Sequence, residues 1–202
     1  MKPYYSEKGI TIYHGDCRDV LPCLQKMDLV LTDPPYGLAD KLQGGTWGKK
    51  FLGKHKAWDA LTVEEVPELI KIGTNQIVWG GNYYSLMPSR GWLVWNKPER
   101  GLTMADAELA WVNKDMNIRV FDCSRNPNNE KRQHPTQKPL KLFTWCISLF
   151  PGTKTVVDMF AGSCTTARAA KDLGLHCVCI EKDEQYCESG AKRLQQEVLS
   201  LE

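Results

Sequence analysis

The chain has 202 residues, which is enough for one well-buried domain and too few for two comfortable ones. Its composition, with 42% hydrophobic and 25% charged residues, is that of an ordinary globular protein rather than a fibrous or disordered one. No apolar run is long enough to span a membrane and the first residues do not form a signal peptide, so we expect a cytoplasmic protein.

The net charge is only +2, but basic residues are concentrated in two segments. Residues 37–60 carry five Lys against two Asp, and residues 125–141 carry five Lys or Arg against one Glu. Such segments are typical of phosphate contacts and equally of solvated loops, so charge alone does not separate a nucleic-acid partner from a solvated surface. The eight cysteines include no C-x-x-C pair and no paired His spacing. We therefore expect reduced thiols and no metal.

In chain order, the hydrophobic patterns predict an alternation of strands and helices. Turn residues and helix caps set the boundaries, and Pro34 and Pro35 end the first strand because they cannot donate to a sheet. The prediction comprises strand 27–32, loop 37–60, helix 62–73, strands 76–79, 92–95 and 108–112, loop 122–135, helix 139–150, strand 155–158, helix 165–173 and strand 176–180.

The last two strands and the helix between them form a βαβ unit with short connections, which predicts parallel strands and a right-handed crossover. Strands that alternate with helices along the whole chain predict an α/β fold with a doubly wound, mostly parallel sheet. Residues 1–202 are therefore interpreted as a single domain. In such a sheet, a ligand lies outside the carboxyl ends of the strands.

The turn from Asp158 to Thr166 has small residues where a backbone must approach a ligand closely, and Glu181 follows Asp158 by 23 residues. That separation suits a carboxylate that accepts from the ribose hydroxyls of a nucleoside cofactor. The turn alone fits a nicotinamide cofactor nearly as well.

The tetrapeptide Asp33-Pro34-Pro35-Tyr36 favours a different chemistry. An exocyclic amino nitrogen of a nucleobase is a poor nucleophile, because its lone pair is delocalised into the ring. The Asp33 carboxylate and the Pro34 carbonyl can each accept one amino hydrogen, and the rigid prolines hold both acceptors at the strand end. Tyr36 offers an aromatic face for an extruded base. These four residues are the predicted catalytic residues.

With these motifs the chain resembles the amino DNA methyltransferases that make N6-methyladenine or N4-methylcytosine. The tetrapeptide matches the family's catalytic motif in full, and Asp158 to Thr166 matches its cofactor signature except at Met159 and Cys164. His134 to Pro139 and Gly15-Asp16-Cys17 match two softer family motifs, so the resemblance spans residues 10 to about 195. The order, with the catalytic motif first and the cofactor signature last, resembles the β-class.

The resemblance implies a Rossmann-like methyltransferase fold and S-adenosyl-L-methionine as cofactor. Thr136 and Lys138 would hold the cofactor's carboxylate, Glu181 its ribose, and Asp16 with Cys17 its adenine. The Cys164 side chain is expected near the cofactor. The full predicted cofactor set is Asp16, Cys17, Asp33, His134, Thr136, Lys138, Asp158, Phe160, Ala161, Gly162, Ser163, Thr165, Thr166, Glu181 and Lys182.

The implied substrate is an exocyclic amino group of DNA, and Asp at the first tetrapeptide position favours adenine over cytosine. Double-stranded DNA, a homodimer, a short or relaxed recognition site, and a modification enzyme of a bacterium or bacteriophage complete the expectation. The alternatives are an N4-cytosine enzyme, an RNA or glutamine methyltransferase, and a catalytically silent nucleic-acid-binding subunit. The predicted DNA contacts lie in loops 37–60 and 122–133 and are Lys41, Trp47, Lys49, Lys50, Lys54, Arg125, Lys131 and Arg132.

Overall fold

The computed structural model describes residues 1–38, 62–101, 105–125 and 137–195. Nine strands in these residues form one sheet. They are β1 (Tyr5–Glu7), β2 (Ile10–His14), β3 (Met27–Thr32), β4 (Gly73–Trp79), β5 (Gly91–Asn96), β6 (Ala107–Val112), β7 (Arg119–Asp122), β8 (Thr155–Asp158) and β9 (His176–Glu181).

Five described α-helices connect the strands: α1 (Cys17–Val20), α2 (Val66–Leu69), α3 (Leu140–Ser148), α4 (Thr165–Asp172) and α5 (Glu184–Gln195). Three 3₁₀ turns lie at Leu21–Cys23, Ile70–Ile72 and Gly81–Tyr83.

The strand order is β1-β2-β9-β8-β3-β4-β6-β5-β7. The pairs β2–β9, β9–β8, β8–β3, β3–β4 and β5–β7 are parallel, and the pairs β1–β2, β4–β6 and β6–β5 are antiparallel. From β3 the chain continues outward to β4, and from β8 it continues in the opposite direction to β9. The boundary between β3 and β8 is therefore the topological switch point, where α/β sheets bind ligands.

The sheet has a hydrophobic core on each face. One core contains Leu29, Leu31 and Val156 together with the inner faces of α3, α4 and α5. The other contains Val30, Val157 and the residues of α1 and α2. Adjacent residues of β3 and β8 thus face opposite cores, which explains why these strands are almost uniformly apolar.

Side-chain hydrogen bonds join β3 to β8 at both ends of the two strands. At the amino end, the Asp28 carboxylate accepts from the backbone N–H groups of Lys154 and Thr155, both at 2.9 Å. At the carboxyl end, the Thr32 hydroxyl donates to the Asp158 carboxylate at 2.8 Å. These bonds fix the register of the two strands at the switch point.

The predicted α/β class and doubly wound, mostly parallel sheet are confirmed, and every predicted strand is present with ends within a few residues. Helix 62–73 is wrong: only α2 and a 3₁₀ turn form there, and Gly73 already belongs to β4. A side chain at Gly73 would lie 2.6 Å from Val30, so close strand packing fixes this position. β7 overlaps the predicted loop 122–135 only at Asp122, and β1, β2, α1 and α5 have no counterpart among the predicted elements.

Candidate active site

The carboxyl ends of four adjacent parallel strands bring the predicted site residues to one edge of the sheet. Asp16 follows β2, Glu181 ends β9, Asp158 ends β8, and Asp33 follows β3. The strands are neighbours in this order. The acids therefore form a row that crosses the switch point, at the carboxyl ends of the strands where the sequence predicts a ligand.

Asp33 is half-buried, and both of its carboxylate oxygens accept hydrogen bonds. The Tyr36 hydroxyl donates to Oδ1, and the Lys138 ammonium donates to Oδ2 at 2.5 Å. Burial and the neighbouring Asp33 charge raise the pKa of Tyr36 well above its usual value, so its hydroxyl stays protonated and remains a donor. The structure thus joins the predicted catalytic tetrapeptide to Lys138.

Two tyrosines after β4 support the tetrapeptide. The Tyr83 ring stacks on Tyr36, with centroids 5.0 Å apart and planes at 19°. The Tyr84 hydroxyl donates to the Pro35 carbonyl. At Gly80, where φ is +67°, a side chain would overlap the Tyr36 ring. These two tyrosines were missed as site residues, although the Gly80-Gly81 pair at the end of a predicted strand marks the turn that positions them.

Lys138 belongs to a larger buried ionic network. Its ammonium lies 3.1 Å from Glu108 Oε2 in β6 and 3.3 Å from the Tyr36 hydroxyl. The other Glu108 oxygen accepts from Lys97, which follows β5. Sequence reasoning missed Glu108 and Lys97. A signal existed, because Glu108 is a charged residue within an apolar strand.

The Asp158 carboxylate is engaged by internal hydrogen bonds. It accepts from the hydroxyls of Thr32 (2.8 Å) and Thr166 (2.5 Å) and from the backbone N–H of Phe160 (3.1 Å). Burial raises its pKa to about 6, although these bonds act in the opposite direction. Asp158 therefore braces the turn between β8 and α4.

The Glu181 carboxylate closes the same turn from the side of β9. It accepts from the backbone N–H of Gly162 at 2.7 Å and from that of Asp183 at 2.8 Å. Gly162 has φ +48°, a left-handed conformation that glycine adopts without a steric penalty. Burial raises the pKa of Glu181. Ala161 donates its N–H to the carbonyl of Ile180 at 3.0 Å, which draws the turn against β9.

Ser163 and Thr165 lie at the start of α4 and are buried. Arg193 of α5 donates to the Ser163 carbonyl at 3.3 Å and to the Thr165 hydroxyl at 3.1 Å. The end of the turn is thus held by the last described helix.

Asp16 caps the first turn of α1, and Cys17 is the first, buried residue of that helix. Arg18 donates to Asp16 from its backbone N–H and from its guanidinium, and these bonds hold the pKa of Asp16 well below its usual range. Lys182 lies 3.6 Å from the same carboxylate. Gly15 donates its N–H to the Glu181 carbonyl at 2.9 Å, so Asp16, Cys17, Glu181 and Lys182 form one cluster.

The Cys164 side chain does not face the open side of the turn, which corrects the sequence expectation. It is fully buried, and its Sγ would lie 2.5 Å from a Cβ placed on Gly190 of α5. Cys164 has φ +56°, in the left-handed region, and this backbone directs the side chain into the core.

Of the predicted nucleic-acid contacts, the described residues include only Arg125. It is 9% exposed, and its guanidinium donates to the Ala105 carbonyl at 2.6 Å and lies 3.4 Å from the Glu99 carboxylate. These internal bonds do not support a phosphate contact from Arg125. Outside the described residues lie Lys41, Trp47, Lys49, Lys50, Lys54, Lys131 and Arg132, as well as His134 and Thr136 of the cofactor set.

Within the described ranges, no group of three or more His, Cys, Asp or Glu side chains could hold a metal ion. No helix in that part of the chain is both long and apolar enough to cross a membrane.

The described residues thus form an α/β sheet with an acid–tyrosine turn at its switch point. The comparisons agree. A family model described as a DNA methylase of the N6/N4 type matches residues 94–192. The type II methyltransferase M2.DpnII of Streptococcus pneumoniae is 26% identical, over 97% of this chain and 93% of its own length. M.HinfI of Haemophilus influenzae is 26% identical, over 95% of this chain and 72% of its own length.

Two solved structures share the fold. M1.HpyAVI, solved as a complex with SAM, matches with a TM-score of 0.62 and 22% identity, over 93% of this chain and 100% of that chain. The cytosine-N4-specific PvuII DNA methyltransferase matches with a TM-score of 0.65 and 18% identity, over 98% of this chain and 91% of that chain.

The family model and the curated relatives together support an amino DNA methyltransferase of the N6-adenine/N4-cytosine family, as the sequence predicts. The chain is thus an enzyme that acts on DNA, as the sequence predicts. The predicted cofactor, S-adenosyl-L-methionine, is supported by the family model and by the solved neighbours, which include a SAM complex.

Proposed function

We propose that the chain transfers a methyl group to N6 of adenine in double-stranded DNA. The observation that carries this proposal is the half-buried Asp33 carboxylate at the end of β3, oriented by Tyr36 and Lys138. A carboxylate has about four acceptor positions, and these two donors occupy two of them. Asp33 can therefore still accept a hydrogen of the target amino group. Asp at this position favours adenine by resemblance to the family's adenine enzymes.

The row of strand ends fits S-adenosyl-L-methionine as an elongated ligand. Asp16 and Cys17 would contact its adenine, and Glu181 with Lys182 its ribose. The turn of Phe160, Ala161 and Gly162 with the start of α4 would border its methionine part, together with His134 and Thr136. The predicted contact of Lys138 with the cofactor's carboxylate is not proposed, because its ammonium is buried against Asp33, Glu108 and Tyr36. Hydrogen-bond chemistry supports this order. The carboxylates of Asp16 and Glu181 are acceptors, and they lie where the cofactor's adenine amino group and ribose hydroxyls would donate. When bound, the cofactor supplies an electrophilic methyl group on a sulfonium.

The protein's own part in the reaction is to hold the base and its amino group. Asp33 and the Pro34 carbonyl accept the two amino hydrogens, which favours a localised lone pair on the nitrogen. The amino nitrogen gains the methyl as the carbon–sulfur bond breaks, and it becomes cationic. It then loses one proton to Asp33 or to water. Tyr36 contacts the extruded base.

The recognition site is proposed to be short or relaxed. Between residues 73 and 122, which follow the tetrapeptide, the described residues 73–101 and 105–122 supply β4 to β7. Those residues are needed for the sheet, so loops 37–60 and 122–133 are left to contact bases. The homodimer and the cytoplasmic location stay predictions.

Transfer of a labelled methyl group to DNA tests the proposal. Wild type is compared with Asp33→Ala and with Asp115→Ala, a control at an exposed carboxylate that pairs with Arg90. We expect N6-methyladenine with wild type and the control, and a loss of at least about 1000-fold with Asp33→Ala. Sequencing the methylated positions of the same product should give a short or degenerate motif.

Other outcomes of that assay have distinct meanings. Methylcytosine as the product would replace adenine by N4 of cytosine. No transfer to single- or double-stranded DNA, despite measurable cofactor binding, would overturn the proposal in favour of RNA, a protein amide or a missing partner subunit. One long invariant motif would contradict relaxed recognition.

A further inference from the structure

A buried chain of alternating charges extends from the catalytic carboxylate into the protein. Asp33 pairs with Lys138 at 2.5 Å, and Lys138 pairs with Glu108 at 3.1 Å. Glu108 in turn accepts from Lys97. The side chains of Lys138 and Lys97 are 5% and 3% exposed. The four formal charges sum to zero.

Glu108 holds this arrangement together from β6. Two buried ammonium groups would repel each other, and each would be costly to desolvate without a partner. Glu108 places one oxygen toward each of them. The Lys138 ammonium has three N–H donors, and its three neighbours are Asp33, Glu108 and the Tyr36 hydroxyl. The ammonium is oriented by its hydrogen bonds to Asp33 and to the Tyr36 hydroxyl, and its contact with Glu108 Oε2 is an ion pair without a hydrogen bond.

The pKa values of Lys138, Glu108 and Lys97 reflect these ion pairs and the burial of the side chains. Burial would lower the pKa of Lys138, but the carboxylates of Asp33 and Glu108 outweigh it and raise the pKa. Burial would raise the pKa of Glu108, but the ammonium groups of Lys138 and Lys97 outweigh it and lower the pKa. The pKa of Lys97 is lowered by burial despite Glu108. Lys138 and Glu108 are consequently both charged at neutral pH.

The balance of buried charges around Lys138 matters because the proposed reaction forms a new positive charge nearby. Under the proposed function, on which this inference rests, the target nitrogen becomes cationic beside Asp33. A neighbouring ammonium without a counter-charge would oppose that cation in a site of low dielectric. We propose that Glu108 is a positioning residue for catalysis: it holds the Lys138 ammonium against Asp33 and cancels its charge, so that a cation can develop on the methylated nitrogen.

Glu108→Gln tests this role, because the amide keeps the shape and one acceptor but removes the charge. Glu108→Asp keeps the charge, and Glu99→Gln is the matched control at a neighbouring ion pair, since Glu99 pairs with Arg125 and not with Lys138 or Lys97. For Glu108→Gln we expect kcat per folded enzyme to fall about 10- to 100-fold, with KM changing less than about threefold. Glu108→Asp should restore much of kcat, and Glu99→Gln should retain it.

A second readout needs neither cofactor nor activity. The titration of Lys138, followed by NMR of ¹³C-labelled lysine and assigned with Lys138→Arg, should move to lower pH in Glu108→Gln. In activity measurements, the alkaline limb of the pH profile of kcat should also move to lower pH. The groups that face Lys138 in this measurement are Asp33 and Tyr36 after β3 and Glu108 of β6, with Lys97 beyond it.

These readouts separate the possible failures. A purely structural Glu108 would lower the melting temperature but leave kcat per folded enzyme and the Lys138 titration unchanged, and that result would overturn the inference. If wild type methylates cytosine, the inference stands and only the base changes. If wild type transfers no methyl to an amino group while the Lys138 titration shifts as expected, the proposed function fails and Glu108 loses its role in catalysis.

Discussion

Tyr84 is the residue that ties the catalytic tetrapeptide to the sheet. Its hydroxyl donates to the Pro35 carbonyl, and its neighbour Tyr83 stacks on Tyr36. Prolines cannot donate backbone hydrogen bonds, so the tetrapeptide depends on bonds donated to its carbonyls and carboxylate. The position of the Asp33 carboxylate thus depends partly on Tyr84, which lies 49 residues from Pro35 in the sequence.

Tyr84→Phe should therefore reduce kcat more than stability. Loss of one hydrogen bond costs about 1 kcal/mol of stability, whereas a small displacement of the catalytic turn lowers the rate about tenfold or more. Methyl-transfer kinetics and urea unfolding measure the two effects. Tyr5→Phe, which removes a hydroxyl at the distant strand β1, is the control. Equal kcat for wild type and Tyr84→Phe would show that the tyrosine does not position the turn.

At the scale of elements, the contact between α4 and α5 includes one very close pair. Cys164 precedes α4 with φ +56°, and Gly190 of α5 has room for no side chain against its thiol. The turn that borders the proposed cofactor site is therefore supported from behind by α5.

A double-mutant cycle tests this contact. Gly190→Ala should destabilise the protein by about 1–3 kcal/mol through overpacking. In a Cys164→Gly background the same substitution should cost at least about 1 kcal/mol less, because the opposing thiol is gone. Urea denaturation gives the free energies of unfolding. Val20→Ala, in the core on the other face of the sheet, should add to Cys164→Gly without coupling. Strict additivity of the first pair would refute the contact.

Elements whose sequence signal is local were predicted correctly, and elements that depend on tertiary contacts were not. β3, β8 and β9 were predicted because each is an apolar run that ends at a motif. Helix 62–73 was wrong because Gly73 packs on Val30, a tertiary contact that helix signals do not contain. β7 is an exposed edge strand with little hydrophobic pattern.

The same distinction applies to the site. Asp33 and Glu181 lie in motifs whose residues are neighbours in the sequence. The ion pair between Lys138 and Glu108 joins the segment before α3 to β6, and no local sequence pattern predicts it. Cys164 was expected at the open side of the turn because its left-handed backbone is not visible in the sequence.

For the whole molecule, the junction of β3 and β8 unites the two halves of the sheet, and its stability depends on pH in two opposite ways. Asp158 is 2% exposed, and burial raises its pKa to about 6. Asp28, at the other end of the same strands, has its pKa lowered by the N–H groups of Lys154 and Thr155. One carboxylate thus favours folding when protonated, and the other when ionised.

The sign of the Asp158 effect is fixed by its raised pKa. An unfolded Asp has a pKa of about 3.9, so the contribution of Asp158 to stability is full below about pH 4 and is lost as the pH rises through about 6. Between these values the free energy of unfolding of wild type should fall by about 2–3 kcal/mol relative to Asp158→Asn. Chemical denaturation over this pH range measures the difference.

Asp28→Asn provides the opposite control for that experiment. The contribution of Asp28 is present above the unfolded pKa and is lost as the pH falls through its lowered folded value, so its variant should differ from wild type in a pH-dependent way only at the acid end. A parallel pH dependence for wild type and Asp158→Asn would show that Asp158 is not protonated in the folded protein near pH 5.

The order of strands also governs when the enzyme becomes competent during its synthesis. Thr32 meets Asp158 across 126 positions of the chain, and β2 has its parallel partner only in β9. A ribosome that has released the tetrapeptide at residues 33–36 has made β2 but not β8 and β9, which carry Asp158 and Glu181 and join β2 to the rest of the sheet. Contacts this distant in sequence close late and slowly. The nascent chain consequently exposes one flank of β3 until β8 emerges, and Asp33 lacks both Lys138 and the cofactor turn for most of translation.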